Sequence, residues 1–172
     1  CTAAHYLGYD RGTALFPPVV FQRQIVVAAQ RGEQTEVFLV PPDAGASSIK
    51  RQRLEGTIGA PLVIASQRLL VSTNHGKLHV LEPGEGNEPL KLVHTLPAAG
   101  PPLLRYLQTS PDGIIAADRG LTQLKFDSAG KLQPGWTAFP LDVFEGSGHV
   151  HDQVCVTARY VADQDAHIAA AV

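Results

Sequence analysis

The sequence predicts an all-β fold built from four-stranded repeats, and three observations support that prediction. Gly32, Gly76 and Gly120 recur at a constant interval of about 44 residues. An apolar run rich in Val, Ile, Leu and Ala precedes each glycine, and a turn rich in Pro, Asp and Gly follows each of them. A period of about 40–45 residues is the length of one four-stranded propeller blade. We therefore expect about three to four β-propeller-type blades, which form either a small ring or part of a larger propeller.

The repeat divides the chain into five segments. Residues 14–57, 58–100 and 101–142 are three blade-like repeats, and residues 143–172 are a degenerate or partial fourth repeat. Residues 1–13 are an N-terminal segment or the end of a preceding blade. Because the chain begins at Cys1 and contains no Met, we expect a processed product or an excised piece of a longer protein.

The first strand of each repeat is expected to start with a proline. These strands are residues 18–21, 61–64 and 102–104. Proline is tolerated at the first position of a strand because the N–H group that it lacks is not needed there. After a polar turn comes a second strand that is apolar on both faces and must be covered on both, as in a blade between two others. These second strands are residues 25–29, 69–73 and 114–117.

The repeated glycine lies in the hairpin after the second strand, where it supplies the positive φ that a tight turn requires. The expected third strands are residues 36–40, 77–82 and 122–127, and the expected outer strands are residues 49–54, 90–96 and 136–139. In the fourth repeat the expected strands are residues 154–157 and 167–172. The alternative there is a helix from about residue 158, which the Ala content favours.

Several of these segments resemble the quinoprotein-like (PQQ-repeat-like) β-propellers. The residues that carry the resemblance best are 60–63, 69–71, 76–78 and 80–82, and residues 112–118 with 126–131 also resemble an NHL-type blade. The resemblance covers roughly residues 14–142 and implies the fold rather than the chemistry. It also favours a periplasmic or extracellular location.

The resemblance bears on cofactor binding as well. Quinoprotein dehydrogenases of this class bind pyrroloquinoline quinone with a metal ion and carry a tryptophan docking pattern in most blades. In this chain only Asp127, Gly130, Lys131 and Trp136 approach that pattern, with a different spacing. We therefore predict no quinone cofactor, and a metal ion remains the alternative considered below.

Composition and charge exclude some classes of protein. The chain has 172 residues, of which 44% are hydrophobic and 17% charged, and these values are typical of a folded soluble domain of bacterial type. A net charge of −2 gives no electrostatic reason to expect a nucleic-acid partner. No apolar run approaches the roughly 20 residues of a membrane-spanning helix. Cys1 and Cys155 allow one disulfide or two free thiols.

Two groups of residues are candidates for a functional site. Arg31, Asn74, His75 and Arg119 occupy hairpin positions near one rim, where the functional loops of propellers gather, although they are also ordinary turn residues. His149, His151 and Asp152 form the second group, because two imidazoles at i and i+2 share one face of a strand and could hold a metal with the carboxylate. The alternative for this group is a polar strand edge.

No catalytic motif in the sequence identifies the function. The sequence contains no Gly-x-Ser-x-Gly elbow, no phosphate-binding loop and no dinucleotide-binding glycine pattern. The favoured hypothesis is a non-catalytic β-propeller module that binds a protein partner or a small ligand at a loop rim. The alternative is a metal- or quinone-dependent oxidoreductase, or a metal-dependent hydrolase, with its site in the channel. The expected partners of the open blades are a second copy in a homodimer or the missing blades of a parent chain.

Overall fold

The structure is a computed structural model that describes residues 16–42, 48–86, 88–98, 104–118, 120–138, 149–151, 154–161 and 166–171. In these residues the chain is all-β. The strands form three antiparallel four-stranded sheets and one antiparallel three-stranded sheet, and within each sheet they lie in sequence order. The predicted all-β chain with four-stranded repeats is therefore confirmed here in a β-propeller-like arrangement, and the described residues show no closed ring.

Each sheet comes from one continuous part of the sequence. Sheet 1 contains β1 (Val19–Phe21), β2 (Gln24–Arg31), β3 (Gln34–Val40) and β4 (Lys50–Glu55). Sheet 2 contains β5 (Val63–Ala65), β6 (Arg68–Ser72), β7 (Leu78–Pro83) and β8 (Leu90–Leu96). Sheet 3 contains β9 (Tyr106–Ser110), β10 (Gly113–Ala117), β11 (Leu121–Phe126) and β12 (Leu132–Ala138). Sheet 4 contains β13 (His149–His151), β14 (Val154–Val161) and β15 (Ala166–Ala171).

Consecutive sheets pack face to face through apolar side chains. One buried cluster joins sheet 1 to sheet 2 and contains Val26, Val37, Leu39, Leu69 and Leu81 among its members. A second buried cluster joins sheet 2 to sheet 3 and includes Leu70, Val80, Ile114 and Leu124. The first strands of successive sheets, β1, β5, β9 and β13, contact one another in that order. The first strands of the four sheets therefore form one continuous row of contacts, which is consistent with a β-propeller-like arrangement.

The sheets have two ends, which we name after one residue of each. The Gln22 end contains the turns between the first and second strands of sheets 1–3 and the described residues of the turns between their third and fourth strands. The Gly32 end contains the turns between the second and third strands, to which Gly32, Gly76 and Gly120 belong, and the link from sheet 1 to sheet 2. At the Gly32 end, Gly32, Gly76 and Gly120 have φ values of 60°, 67° and 134°, which confirms the predicted glycine hairpins.

At the Gln22 end, two of the first turns use non-glycine residues at positive φ. The values are 51° and 61° for Gln22 and Arg23, and 47° and 59° for Ser66 and Gln67. Two adjacent residues with positive φ form the type I′ hairpin, whose twist matches that of the strands it joins. This backbone is unusual for side chains other than Gly, Asn and Asp, and here it occurs at the same position in two sheets.

The structure corrects three details of the predicted strands. Of the first strand predicted for the third repeat at residues 102–104, residues 102 and 103 lie outside the described residues, and the first described strand of this sheet is β9, Tyr106–Ser110, in which Tyr106 pairs with Ala117. The outer strand expected at residues 136–139 already begins at Leu132, and a register shift in β11 accommodates Pro134 within it. The alternative helix from residue 158 is wrong, because β14 continues to Val161.

Candidate functional site

The structure places the predicted rim residues that it describes at the Gly32 end. Arg31 is the last residue of β2, and Asn74 and His75 lie exposed in the turn between β6 and β7. Arg119 lies outside the described residues. Arg31, Asn74 and His75 therefore lie at one end of the sheets, and their role as a ligand-binding rim stays a prediction.

Arg31 belongs to an ion-pair cluster within sheet 1. Its Nη1 lies 3.4 Å from Glu36 Oε2, and Arg53 Nε donates a hydrogen bond of 2.9 Å to Glu36 Oε1. The Glu36 side chain is 2% exposed. Burial alone would raise the pKa of Glu36, but the hydrogen bonds from Arg53 and Arg31 hold that pKa below its ordinary value. Arg31 thus has a structural role, because it compensates a buried carboxylate.

Asn74 joins the β6–β7 turn to the link between sheets 1 and 2. Its side-chain Oδ1 accepts a hydrogen bond of 2.9 Å from the backbone N of Thr57, and its own backbone N donates one of 2.8 Å to the Thr57 carbonyl. Asparagine is well suited to this double contact because its short amide mimics a backbone group. The amide oxygen of Asn74 is therefore engaged within the fold.

Other polar groups at the Gly32 end are also paired. Lys77 Nζ lies 2.7 Å from Glu55 Oε2, and Arg105 Nε lies 2.8 Å from Asp118 Oδ2. His79 is buried, with Nδ1 3.2 Å from Thr95 Oγ1 and Nε2 3.2 Å from the Glu55 carbonyl oxygen. Burial lowers the pKa of His79, so its imidazole is held neutral. The described side chains of this end chiefly stabilise turns and links.

The opposite end contains a more open polar site. A cavity of about 540 Å³ lies between sheets 2 and 3 at the Gln22 end. Its polar lining consists of Ser66, Thr109, Ser110, Asp112 and Lys125. Its apolar lining includes Ile64, Ile114 and Phe126. Pockets of several hundred cubic ångströms are the usual size for small-molecule sites, so this cavity is large enough for one.

Two first-strand turns position the polar groups of the cavity. Ser66 belongs to the type I′ turn between β5 and β6, and Asp112 belongs to the turn between β9 and β10. Gly113 follows at a φ of 143°, where a Cβ atom would lie 2.5 Å from the Leu124 carbonyl oxygen. Ser110 Oγ donates a hydrogen bond of 3.2 Å to the Gly113 carbonyl. Glycine is required there, and it brings the Asp112 turn close to β11, which carries Lys125.

Arg68 lies beside this cavity and connects it to a second one. Its guanidinium contacts Glu82 at 2.7 Å and lies over the Phe126 ring, 4.7 Å from the ring centroid. The second cavity, of about 480 Å³, lies between sheets 1 and 2 and is lined by Gln22, Ser66, Gln67, Arg68, Glu82 and Pro83. The ion pair lies within sheet 2, and the cation–π contact joins sheet 2 to sheet 3, so both contacts hold the Arg68 side chain in the wall between the two cavities.

The polar lining of the larger cavity combines several kinds of chemical group. It presents hydroxyl groups, a carboxylate and an ammonium group, and its lining includes neither His nor Cys. In the part of the chain that the structure describes, no group of three or more His, Cys, Asp and Glu side chains could hold a metal ion.

The predicted metal group falls mostly outside the described side chains. His149 and His151 both lie in β13, as the strand prediction requires, but the structure describes only their backbone. Asp152 lies outside the described residues, as does Cys1. The metal site at these residues and the pairing of Cys1 with Cys155 therefore stay predictions.

Sequence reasoning missed the cavity at the Gln22 end. The repeated glycines predict functional loops at the other end of the sheets. The signal that was available is the run of hydroxyl residues at Thr109 and Ser110, directly before the turn that contains Asp112. A similar polar turn follows β5 at Ser66 and Gln67, so the two turns could have been paired as neighbours across sheets.

Comparisons with known proteins leave the family open. No family model matches the chain, and a search of curated proteins finds no significant match. The quinoprotein-like and NHL-like resemblances therefore stay predictions. Among the described residues, the structure contains no helix with the length and apolar character needed to cross a bilayer.

Proposed function

We propose that this chain is a non-catalytic binding module of the β-propeller type, which holds its ligand at a loop rim. The observation that supports the proposal is the polar cavity of about 540 Å³ between sheets 2 and 3 at the Gln22 end. Loops at the rim of a rigid β scaffold are common binding sites because the sheets position them precisely enough for recognition while leaving their side chains accessible.

The polar lining limits the class of ligand. Asp112 requires a hydrogen-bond donor or a cation, and Lys125 requires an acceptor or an anion. The hydroxyls of Ser66 and Thr109 serve as donors or acceptors. The ligand that fits is a small polar molecule, or a polar loop of a protein partner, that carries both kinds of group. An amino acid, a monosaccharide or a short polar peptide meets this requirement.

The proposal also includes a partner surface on sheet 1. The face of sheet 1 that points away from sheet 2 is exposed towards the Gln22 end, where Val20 is 70% and Ile25 41% exposed, whereas Ala29, Glu36 and Phe38 on the same face are buried. In sheets 2 and 3 the corresponding face is covered by the preceding sheet. We expect another sheet of the same kind to cover it, from a second copy of this chain or from further blades of a longer chain.

The ligand proposal is tested by NMR titration of the ¹⁵N-labelled chain with amino acids, monosaccharides and short polar peptides. A ligand of the cavity shifts the amide signals of the Ser66 and Asp112 turns together and leaves the Gly32 end unchanged. Lys125→Gln should weaken its binding by about three- to tenfold, because one exposed charged contact is lost. Lys91→Gln is the matched control, since Lys91 is also an exposed strand lysine.

Two outcomes count against this proposal. If none of the probes shifts the two turns at concentrations of about 10 mM, the cavity does not bind ligands of the expected class. If Lys125→Gln and Lys91→Gln weaken binding equally, the ligand is held elsewhere. For the partner surface, Ile25→Asp should abolish any association of the chain seen in its native mass, whereas Leu92→Asp, at another exposed apolar residue, should not.

A further inference from the structure

The two cavities at the Gln22 end are neighbours, because Ser66 lines both of them. The smaller cavity is lined by Gln22, from the turn between β1 and β2 of sheet 1. The larger cavity is lined by Asp112, from the turn between β9 and β10 of sheet 3. We call the two cavities together the Gln22-end groove. The groove therefore crosses the ends of three sheets, and the turns at Gln22, Ser66 and Asp112 lie along it.

The spacing of the sheets sets the length of a ligand that fills this groove. Packed sheets lie about 10 Å apart, so the turns of sheets 1 and 3 are about 20 Å from each other. An extended peptide advances about 3.3 Å per residue, so about six residues span this distance. Each cavity, of about 540 and 480 Å³, is by itself within the size range of small-molecule sites. Both together suit a longer, linear ligand.

The turns that line the groove present polar groups that the fold does not use. Gln22, Ser66 and Gln67 are exposed, and none of their side chains has a hydrogen-bond partner among the described residues. Their φ values are 51°, 47° and 59°, at which glycine would be favoured. Side chains kept on such a backbone are typical of ligand-binding segments. A glutamine amide offers a donor and an acceptor, as the peptide group of a ligand does.

The charges of the groove argue against a polyanionic ligand. Its described lining contains two cationic side chains, Arg68 and Lys125, and two anionic ones, Glu82 and Asp112. A lining without net charge does not attract nucleic acid or other polyanions. Phe126 is the one aromatic residue of this described lining, and the Arg68 guanidinium lies over its ring. That face of the ring is therefore not free to stack on a sugar.

We propose that the Gln22-end groove binds an extended peptide of about six residues. This inference rests on the proposed function, because it uses the same larger cavity, and it names the class of ligand. Peptide groups of the ligand hydrogen-bond to the side chains of Gln22, Ser66 and Gln67. Side chains of the ligand contact Asp112 and Lys125 in the larger cavity. The ligand passes from one cavity to the other at Ser66.

The test is an NMR titration of the ¹⁵N-labelled chain with two pools of mixed-sequence peptides, three and six residues long, that are blocked at both termini. The six-residue pool should shift the amide signals of the turns at Gln22, Ser66 and Asp112 together. The three-residue pool should bind at least about tenfold more weakly, because a chain that reaches both cavities gains from joining two contacts. Maltohexaose, a linear saccharide of six units, should not shift these turns.

Two equivalent turn positions provide matched variants. Gln67 and Arg23 are each the second residue at positive φ in their turns, with values of 59° and 61°. Gln67 lines the groove, whereas Arg23 is not among its described lining residues. Gln67→Gly and Arg23→Gly should both keep the turn, because glycine is favoured at positive φ. Gln67→Gly should weaken binding of the six-residue pool by about three- to fivefold, and Arg23→Gly should leave it unchanged.

The proposal is overturned if the two pools bind equally well, because one cavity would then hold the whole ligand. Shifts confined to the Ser66 and Asp112 turns, or binding of maltohexaose instead of the six-residue pool, would also contradict it. Each of these results would leave the proposed function standing. Equal weakening by Gln67→Gly and Arg23→Gly would place the peptide elsewhere. If no peptide, amino acid or saccharide shifts any of the three turns at about 10 mM, both proposals fail.

Discussion

Sheets 1 and 2 carry apolar residues at corresponding positions but bury them to different extents. Ile25 pairs with Val40 in sheet 1, as Leu69 pairs with Leu81 in sheet 2. Leu69 and Leu81 are fully buried, whereas Ile25 is 41% exposed and Val40 is half-buried. The difference arises because sheet 1 covers this face of sheet 2, while the corresponding face of sheet 1 has no such sheet over it among the described residues.

The comparison shows that each repeat has an apolar face, and that the burial of this face depends on the neighbouring sheet. A strand that is apolar on both sides is stable in the middle of a row of sheets and leaves an apolar surface at the end of the row. The part of the outward face of sheet 1 near the Gln22 end, at Val20 and Ile25, therefore corresponds to a surface that is buried in sheet 2.

Leu69→Ala and Ile25→Ala truncate apolar side chains at corresponding positions of sheets 2 and 1. Leu69→Ala should lower the free energy of unfolding by about 3 kcal/mol, because it removes a fully buried side chain and leaves a cavity. Ile25→Ala should lower it by only about 1 kcal/mol, because its side chain is already partly in water. Urea denaturation measures both values. Equal losses would mean that the two faces are covered alike.

Glu36→Gln tests the charged part of the same outward face, since Glu36 pairs with Ala29 in sheet 1. We expect a loss of about 1–2 kcal/mol in the free energy of unfolding, less than for a fully buried ion pair because Arg31 and Arg53 are 57% exposed. The folded-state pKa of Glu36 is lowered from 4.5, so its contribution is present above the unfolded-state value and is lost as the pH falls through the folded-state pKa.

The pH dependence provides the control for this variant. The unaltered chain should lose stability as the pH falls below about 4.5, and Glu36→Gln should lose less over the same window because it has no carboxylate to protonate. Denaturation at several pH values measures the difference. Identical pH profiles for the two proteins would show that Glu36 is not held ionised by Arg53 and Arg31.

His79→Phe exchanges a residue of sheet 2 for the residue that sheet 1 has at the corresponding position, Phe38. Burial lowers the pKa of His79 from 6.5, so the unfolded chain binds a proton at a higher pH than the folded chain does. The stability of the unaltered chain should therefore fall as the pH decreases below about 6.5, and His79→Phe should remove this part of the dependence. If the stability of His79→Phe depends on pH in the same way as that of the unaltered chain, the His79 side chain is exposed to water in the folded chain.

Val20→Ser should have the smallest effect. Val20 is 70% exposed, and its substitution should change the free energy of unfolding of the isolated chain by less than about 0.5 kcal/mol. A loss similar to that of a buried valine, about 1 kcal/mol or more, would show that another segment covers this face. Thermal denaturation at low protein concentration is the measurement, since association would cover Val20.

Local patterns in the sequence were sufficient for much of the fold. The second strands and the glycine hairpins could be predicted because the β-branched runs and the positive φ of Gly32 and Gly76 depend on neighbouring residues. The start of β9 could not be predicted, because the residue before it, Arg105, is fixed by Ser72 and Asp118, which are far away in the sequence or across the sheet.

The candidate site depended even more on distant contacts. Asn74 had the sequence features of a rim residue. In the structure its side-chain oxygen accepts a hydrogen bond from the backbone N of Thr57, in the link between sheets 1 and 2. The larger cavity is formed by turns at Ser66 and Asp112, which become neighbours only when sheets 2 and 3 pack together. Burial and cavities between sheets depend on how the sheets pack together. A repeat identified from the sequence alone therefore does not show where they lie.

The most direct test of the comparison is the solvent accessibility of methyl groups, measured as paramagnetic relaxation by a soluble gadolinium chelate. The chain is labelled at the Ile, Leu and Val methyl groups and measured at low concentration. We predict strong relaxation for Val20 and Ile25 and almost none for Leu69 and Leu81, because only the latter two lie under another sheet. Equal protection of all four residues would contradict the account, since the outward face of sheet 1 would then already be covered.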